Sequence, residues 1–235
     1  MDLSARQHWI EFSEGSTIGS NLQEFAKLKK LSFYKIYNNR GIYQDVISSI
    51  QHLGDCSLES LVIDDESSYF LGSLYSMSSP PVFLIALELS GRLVKLPKWI
   101  SRLHELSKLT LSATILGTAN LVILSKLPSL FSLTFSISRK SHEDEMENVL
   151  KYNMNDSSEE IFIPGQGFTK LKLLRIFIPV LFPLKFSKNS TPELLRVELR
   201  FKMSVGISGM EELVKLQDVF ITVDGQASEE TKMCL

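Results

Sequence analysis

The chain has 235 residues, of which 44% are apolar and 22% are charged, which excludes a disordered chain and a membrane bundle. Its formal net charge is −2, without the basic excess of a generic nucleic-acid binder, so we expect no nucleic-acid partner. The 36 Leu and 32 Ser residues make up 29% of the chain, a bias that predicts one structural unit repeated several times.

Residues 1–24 are polar and weakly patterned, and we interpret them as an N-terminal segment that could belong to a truncated repeat. They contain no apolar core of the kind that a signal peptide needs. The two cysteines, Cys56 and Cys234, offer no disulfide framework and indicate a reducing compartment. The longest apolar runs, 80–87 and 176–184, are less than half the length that spans a bilayer. We therefore expect a cytoplasmic protein without a membrane span.

The sequence motif L-x-x-L-x-[LIF] recurs along the chain, and we call each occurrence a word. Successive words begin 30, 26, 22, 24, 41, 23 and 22 residues apart, and six of these seven intervals lie near the period of leucine-rich repeats. The words are Leu28-Leu31-Phe33, Leu58-Leu61-Ile63, Leu84-Leu87-Leu89, Leu106-Leu109-Leu111, Leu130-Leu133-Phe135, Leu171-Leu174-Ile176, Leu194-Val197-Leu199 and Leu216-Val219-Ile221.

The last two apolar positions of each word are one residue apart, so both point to the same face of a short strand. One repeat cannot bury this apolar edge alone, whereas strands stacked side by side can. The fold class predicted is α/β, a leucine-rich-repeat solenoid with a curved parallel sheet on the concave side and short helices and irregular turns on the convex side. We expect about eight repeats over residues 25–228 and a polar tail over 229–235.

The segments that connect the end of one strand to the start of the next, which we call returns, contain apolar residues three or four positions apart. In the third repeat this spacing runs from Leu93 to Leu103, and in the fourth Leu116 to Leu127 predict a short helix or 3₁₀ turn, limited by Pro128. The 41-residue interval contains an acidic insertion, 138–160, whose part from Ser141 to Tyr152 could form a helix. We interpret the insertion as a solvated surface excursion, with a regulatory acidic contact as the alternative.

No pattern of catalytic or cofactor chemistry is present. Gly165 and Gly167 lack the third glycine and the Lys-Ser/Thr of a phosphate loop, and the four histidines share no metal-ligand spacing. The sequence Gly206-Ile-Ser208-Gly209 is one residue short of a nucleophile elbow. We therefore expect no enzyme, no cofactor and no metal.

Residues that alternate with the core on each strand are expected to line the concave surface. Those of the middle strands are small hydroxyl residues, whereas those of the last three strands are Arg and aromatic residues, which dominate interface hot spots. Eight basic residues against two acidic ones lie between Lys170 and Lys202, so an acidic or mixed protein partner is the hypothesis, with an ordinary charged face as the alternative. The candidate partner-binding residues are Arg175, Phe177, Arg196, Glu198, Arg200 and Phe220.

The block 84–111, with its Leu96-Pro97-x-Trp99-Ile100 turn and the following L-x-L-x-x-T-x-L over 109–116, resembles a known family. It is similar to the leucine-rich repeats of plant intracellular immune receptors, the coiled-coil, nucleotide-binding, leucine-rich-repeat disease resistance proteins. The blocks 124–135, 160–177 and 192–201 resemble the C-terminal repeats of cereal members. The L-x-x-N-x-L-x-G-x-I-P pattern of secreted and membrane receptors does not occur, which favours the cytoplasmic branch.

The resemblance implies a protein-recognition module of plant innate immunity. In the family, such repeats sense pathogen effectors or a host intermediary and autoinhibit the nucleotide-binding domain, so the partner implied is an effector, a host intermediary or that domain. The family's coiled-coil and nucleotide-binding domains are absent from these residues, so nucleotide binding does not carry over. The alternative is a stand-alone repeat adaptor, for example one that recognises substrates for a ubiquitin ligase.

Overall fold

A computed structural model describes residues 7–11, 27–34, 36, 40–65, 69–93, 96–114, 117–136, 161–181, 183–201, 203–204 and 206–223. The acidic insertion 138–160, including the helix expected within it, and the polar tail 229–235 lie outside these residues. Most of the N-terminal segment 1–24 also lies outside them. The chain divides into two compact units, Met1–Ser112 and Ala113–Leu235.

In the first unit, the described strands lie side by side in chain order, and each of them after the first carries a leucine word. They are β1 (Gln7–Glu11), β2 (Lys30–Tyr34), β3 (Ser60–Asp65), β4 (Ala86–Leu93) and β5 (Lys108–Thr114), of which β5 ends two residues past the boundary of the unit. The pairs from β1 to β4 are parallel, and their core positions are in register, as for Leu31 with Leu61 and Leu61 with Leu87. The returns contain α1 (Arg40–Cys56), α2 (Phe70–Ser73) and two 3₁₀ helices, Leu74–Ser76 and Lys98–Arg102.

In the second unit, α3 (Thr118–Leu124) is followed by nine strands among the described residues. They are β6 (Ser132–Ser136), β7 (Ile161–Ile163), β8 (Leu173–Phe177), β9 (Val180–Leu181), β10 (Leu184–Phe186), β11 (Arg196–Phe201), β12 (Met203–Ser204), β13 (Ile207–Ser208) and β14 (Asp218–Val223), with a 3₁₀ helix at Met210–Glu212. Strands β6, β8, β11 and β14 pair in that order and in parallel. The returns form two smaller parallel arrays, β13-β10-β7 and β12-β9.

The apolar positions of the repeat word form the core. In the first seven words, the last two apolar side chains are 0–2% exposed, and the leading Leu is at most 4% exposed. The last word differs, because Val219 is 43% and Ile221 39% exposed on strand β14. Strand β14 pairs with β11 and is the last strand in the sheet order, so no further described strand lies beside it.

Helix α1 is an element that the leucine pattern did not predict. Its apolar residues recur every three or four positions, which places them on one buried face. Near its end, Gly54 lies against Pro81, where a Cβ atom would come within 2.6 Å of the Pro81 Cα, so the contact requires glycine. The buried residues of this face are Tyr43, Val46, Ile47, Ile50 and Leu53.

The predicted fold class, a leucine-rich-repeat solenoid of α/β type, is confirmed. The last two apolar residues of each of the eight words lie in a strand of the large sheet, and the leading Leu lies just before that strand. The returns contain short helices, short strands and irregular segments. The third-repeat return forms the 3₁₀ helix Lys98–Arg102. The fourth forms α3, which ends at Leu124, before Pro128. Strand β1 was not predicted, since residues 7–11 carry no leucine word.

Candidate protein-recognition surface

The six candidate residues lie on three neighbouring strands of the second unit, and we call this side of β8, β11 and β14 the arginine face. Core residues alternate with them, so Val197 and Leu199 are buried while the residues between them point away from the core. The parallel register places Glu198 between Arg175 on β8 and Phe220 on β14. In the next row, Arg200 lies between Phe177 and Thr222.

Glu198 connects two arginines of this face. The Nε atom of Arg175 donates a hydrogen bond of 3.0 Å to Glu198 Oε2, and the Nε atom of Arg196 donates one of 2.7 Å to Glu198 Oε1. The Glu198 side chain is 16% exposed, whereas those of Arg175 and Arg196 are 36% and 43% exposed. The carboxylate is therefore covered by guanidinium groups that themselves remain accessible.

The pKa of Glu198 reflects this arrangement. Burial alone would raise the pKa of the carboxyl group, but the hydrogen bonds and positive charges of Arg175 and Arg196 outweigh burial and lower it below 4.5. Glu198 is therefore ionised at neutral pH. Its carboxylate accepts one hydrogen bond from the Nε atom of each guanidinium group.

Arg196 also contacts an aromatic ring. Its guanidinium carbon lies 4.2 Å from the centroid of the Phe220 ring, within the range of a cation–π interaction. Phe220 is 47% exposed, so the ring and the stacked guanidinium form one accessible surface. Arg200 is exposed and Phe177 is half-buried, and they occupy paired positions on β11 and β8.

The structure thus brings all six candidate residues onto one face, although the site itself stays a prediction. What the sequence reasoning missed is the central position of Glu198. The signal was available: Arg196, Glu198 and Arg200 alternate along one strand and so share a face, and the repeat word aligns Arg175 with Glu198. Arg175, Arg196 and Glu198 are best described as one cluster with a net positive charge.

Across the part of the chain that the structure describes, no group of three or more His, Cys, Asp or Glu side chains is arranged to hold a metal ion. No helix among the same residues has the length and apolar character needed to cross a membrane.

Comparison with known proteins agrees with the repeat architecture. A family model described as "Leucine-rich repeat region" matches residues 4–234, nearly the whole chain. The chain belongs to this leucine-rich-repeat family. It is 45% identical over 225 residues to Disease resistance protein Pik-2, and 42% identical over 225 residues to Disease resistance protein PIK6-NP, both of Oryza sativa subsp. japonica.

These matches confirm the predicted resemblance to the leucine-rich-repeat region of cereal disease resistance proteins. Each covers 93% of this chain but 22% of the relative, so the chain spans about a fifth of the length of the relatives it matches. Among solved structures, internalin C2 of Listeria monocytogenes is similar over 90% of this chain and 79% of its own, with 18% identity and a TM-score of 0.45.

Proposed function

We propose that this leucine-rich-repeat chain is a non-enzymatic protein-recognition module of plant innate immunity that acts in the cytoplasm. The fold supports a binding role, since stacked repeats present a continuous surface on which side chains vary from strand to strand. The similarity to rice disease resistance proteins over 93% of the chain supports the immune role. The partner is a pathogen effector or a host intermediary, and in the context of a whole receptor the repeats restrain the nucleotide-binding domain.

The observation that carries the proposal is the arginine face. Two accessible guanidinium groups share one carboxylate, and one of them is stacked on an exposed phenylalanine. Arg and aromatic side chains dominate interface hot spots because they bury a large area and make directional contacts. Their net positive charge fits a partner with an acidic surface.

The test begins with a tagged full chain expressed in rice cells, with captured proteins identified and the leading one purified. Direct binding is then measured with the parent chain and with Arg175→Glu, Arg196→Glu and Arg200→Glu. Lys98→Glu, an exposed charge reversal in the first unit, is the control. We expect the arginine reversals to weaken binding of an immune-related partner and the control to leave it unchanged.

Unchanged affinity across all three arginine variants would remove the arginine face as the binding site. Recovery of ubiquitin-ligase subunits as the direct partners would instead favour the adaptor function. These two outcomes are separate, because the first concerns the surface and the second concerns the class of partner.

A further inference from the structure

A second row of side chains borders the arginine face, at the residues that precede strands β6, β8 and β11. The carbonyl oxygen of Phe131 accepts hydrogen bonds from the N–H groups of Lys172 (2.9 Å) and Leu173 (3.2 Å). In the same way, the Lys172 carbonyl accepts from Leu195 and Arg196, both at 3.0 Å. This repeated hydrogen-bond pattern places the backbones of Phe131, Lys172 and Leu195 side by side at the starts of adjacent strands, about 4.8 Å apart. We call these three residues the leading row.

The leading row combines apolar and cationic chemistry. Phe131 is 41% exposed, and the Nζ atom of Lys172 lies 5.6 Å from the centroid of its ring. Leu195 is half-buried beside them. A cation held over an accessible ring presents a charge and an apolar surface at one place.

The row lies at the start of two strands of the arginine face, since Lys172 and Leu195 directly precede β8 and β11. The nearby carboxylate of Glu193 is already bonded to Lys215, with 2.5 Å between Oε1 and Nζ. That bond and the charges of Lys215 and Lys172 lower the pKa of Glu193, against a smaller effect of burial. Lys172 and Arg196 therefore leave an excess of positive charge next to Phe131 and Leu195.

We propose that the leading row binds a partner segment that carries a carboxylate beside an apolar side chain. The carboxylate pairs with Lys172, at the middle of the row, and the apolar group packs against Phe131 or Leu195 on either side of it. This inference rests on the proposed recognition function and extends the recognition surface by one residue at the start of each strand. Charge complementarity selects the acidic partner over a basic one.

The chain contains a matched control for this site. On the separate array formed by β7 and β10, Lys185 lies 5.6 Å from the centroid of the Phe162 ring, and Phe162 is 36% exposed. The two lysine–phenylalanine pairs thus have the same distance and similarly exposed rings, while Lys172 is half-buried and Lys185 is exposed. Lys172 directly precedes a strand of the arginine face, whereas Lys185 lies on the separate array.

The probes are two labelled, end-capped twelve-residue peptides, one alternating Glu and Leu and the other alternating Lys and Leu. Binding to the full chain is measured by fluorescence anisotropy. We expect the Glu-Leu peptide to bind more tightly, and Phe131→Ala and Lys172→Glu each to weaken it about tenfold. Phe162→Ala and Lys185→Glu are expected to change its Kd by less than about twofold. Lys172→Gln, which removes the charge without reversing it, is expected to give an intermediate loss.

Equal losses in the leading-row and control variants, or equal binding of both peptides by the parent chain, would overturn the proposal. Thermal unfolding of each variant separates lost binding from lost folding. If Arg175→Glu weakens the natural partner while leading-row variants do not affect the peptide, only the leading row fails. If instead the leading-row variants weaken peptide binding while Arg175→Glu leaves binding of the natural partner unchanged, the arginine face fails as a binding site and the leading row stands.

Discussion

Asp65 is the single fully buried charged residue among those that the structure describes, with 0% of its surface exposed. It ends strand β3, and its Oδ2 atom accepts a hydrogen bond of 2.9 Å from the Leu71 N–H group at the start of α2. The pKa of Asp65 is raised from 3.8 to about 7, mainly because burial disfavours the charged form. The hydrogen bonds from Leu71 and Phe70 oppose the rise, and the negative charge of Asp64 adds to it. The repeat word could not reveal this environment, since it depends on how the chain returns to the strand end.

We predict that Asp65→Asn gains stability relative to the parent chain as pH rises. The folded chain binds the Asp65 proton more tightly than the unfolded chain, so this residue's contribution to the free energy of unfolding falls between about pH 4 and pH 7. Asparagine stays neutral and can still accept the Leu71 hydrogen bond. Urea midpoints at about pH 5 and pH 8 test this, with the exposed Asp45→Asn as control. A difference between Asp65→Asn and parent that is the same at both pH values would contradict the prediction.

Glu198 is expected to show the opposite dependence. Its pKa is lowered in the folded chain by Arg175 and Arg196, which outweigh burial, so its stabilising effect is present above about pH 4.5 and is lost as pH falls through the lowered pKa. We expect Glu198→Gln to cost about 0.5–1 kcal/mol near neutral pH and to converge on the parent chain near pH 3. Chemical unfolding across this range measures it. Glu193→Gln, at the more exposed Lys215 pair, should have the smaller effect.

At the scale of elements, the sequence predicts the strands that carry the leucine word and the short helix of the fourth repeat, but few of the other returns. The words determine where β2–β6, β8, β11 and β14 form because two apolar residues per strand must reach the core. Strand β1 lacks the word, and α1 occupies a long return whose buried face repeats every three or four residues. The returns vary in length and have no fixed apolar code, so their 3₁₀ helices and short strands depend on packing against neighbouring returns.

The last described repeat offers a matched comparison of one residue type at one position. Val197 on β11 is 0% exposed, whereas its register partner Val219 on β14 is 43% exposed. We expect Val197→Ala to cost about 2 kcal/mol, since it removes two buried methyl groups and leaves a cavity. Val219→Ala should cost less than about 1 kcal/mol, because much of that side chain is already in water. Equal shifts of the urea midpoint would show that β14 is covered in solution.

At the scale of the whole molecule, net charge is a poor guide to binding. The formal charge is −2, yet Arg175, Arg196 and Arg200 lie on one face, where the acidic residues among their described register partners are Glu198 and Asp218. At physiological salt, exposed charges are screened beyond about 8 Å, so an approaching partner responds to the local set rather than to the sum. Composition could exclude a strongly basic protein, but only the strand register could show which charges share a surface.

This leads to a prediction that separates local charge from net charge. Reversing Arg175, Arg196 and Arg200 to Glu together lowers the net charge from −2 to −8, and reversing the exposed Lys98, Arg102 and Lys126 does the same elsewhere. We expect the first variant to slow association with the alternating Glu-Leu peptide about tenfold at low salt, because electrostatic steering acts through the surface that meets the partner. The second variant should associate nearly as fast as the parent chain and retain its salt dependence. Stopped-flow measurements at low and high NaCl test this, and equal slowing of both variants would show that net charge, rather than the arginine face, controls the encounter.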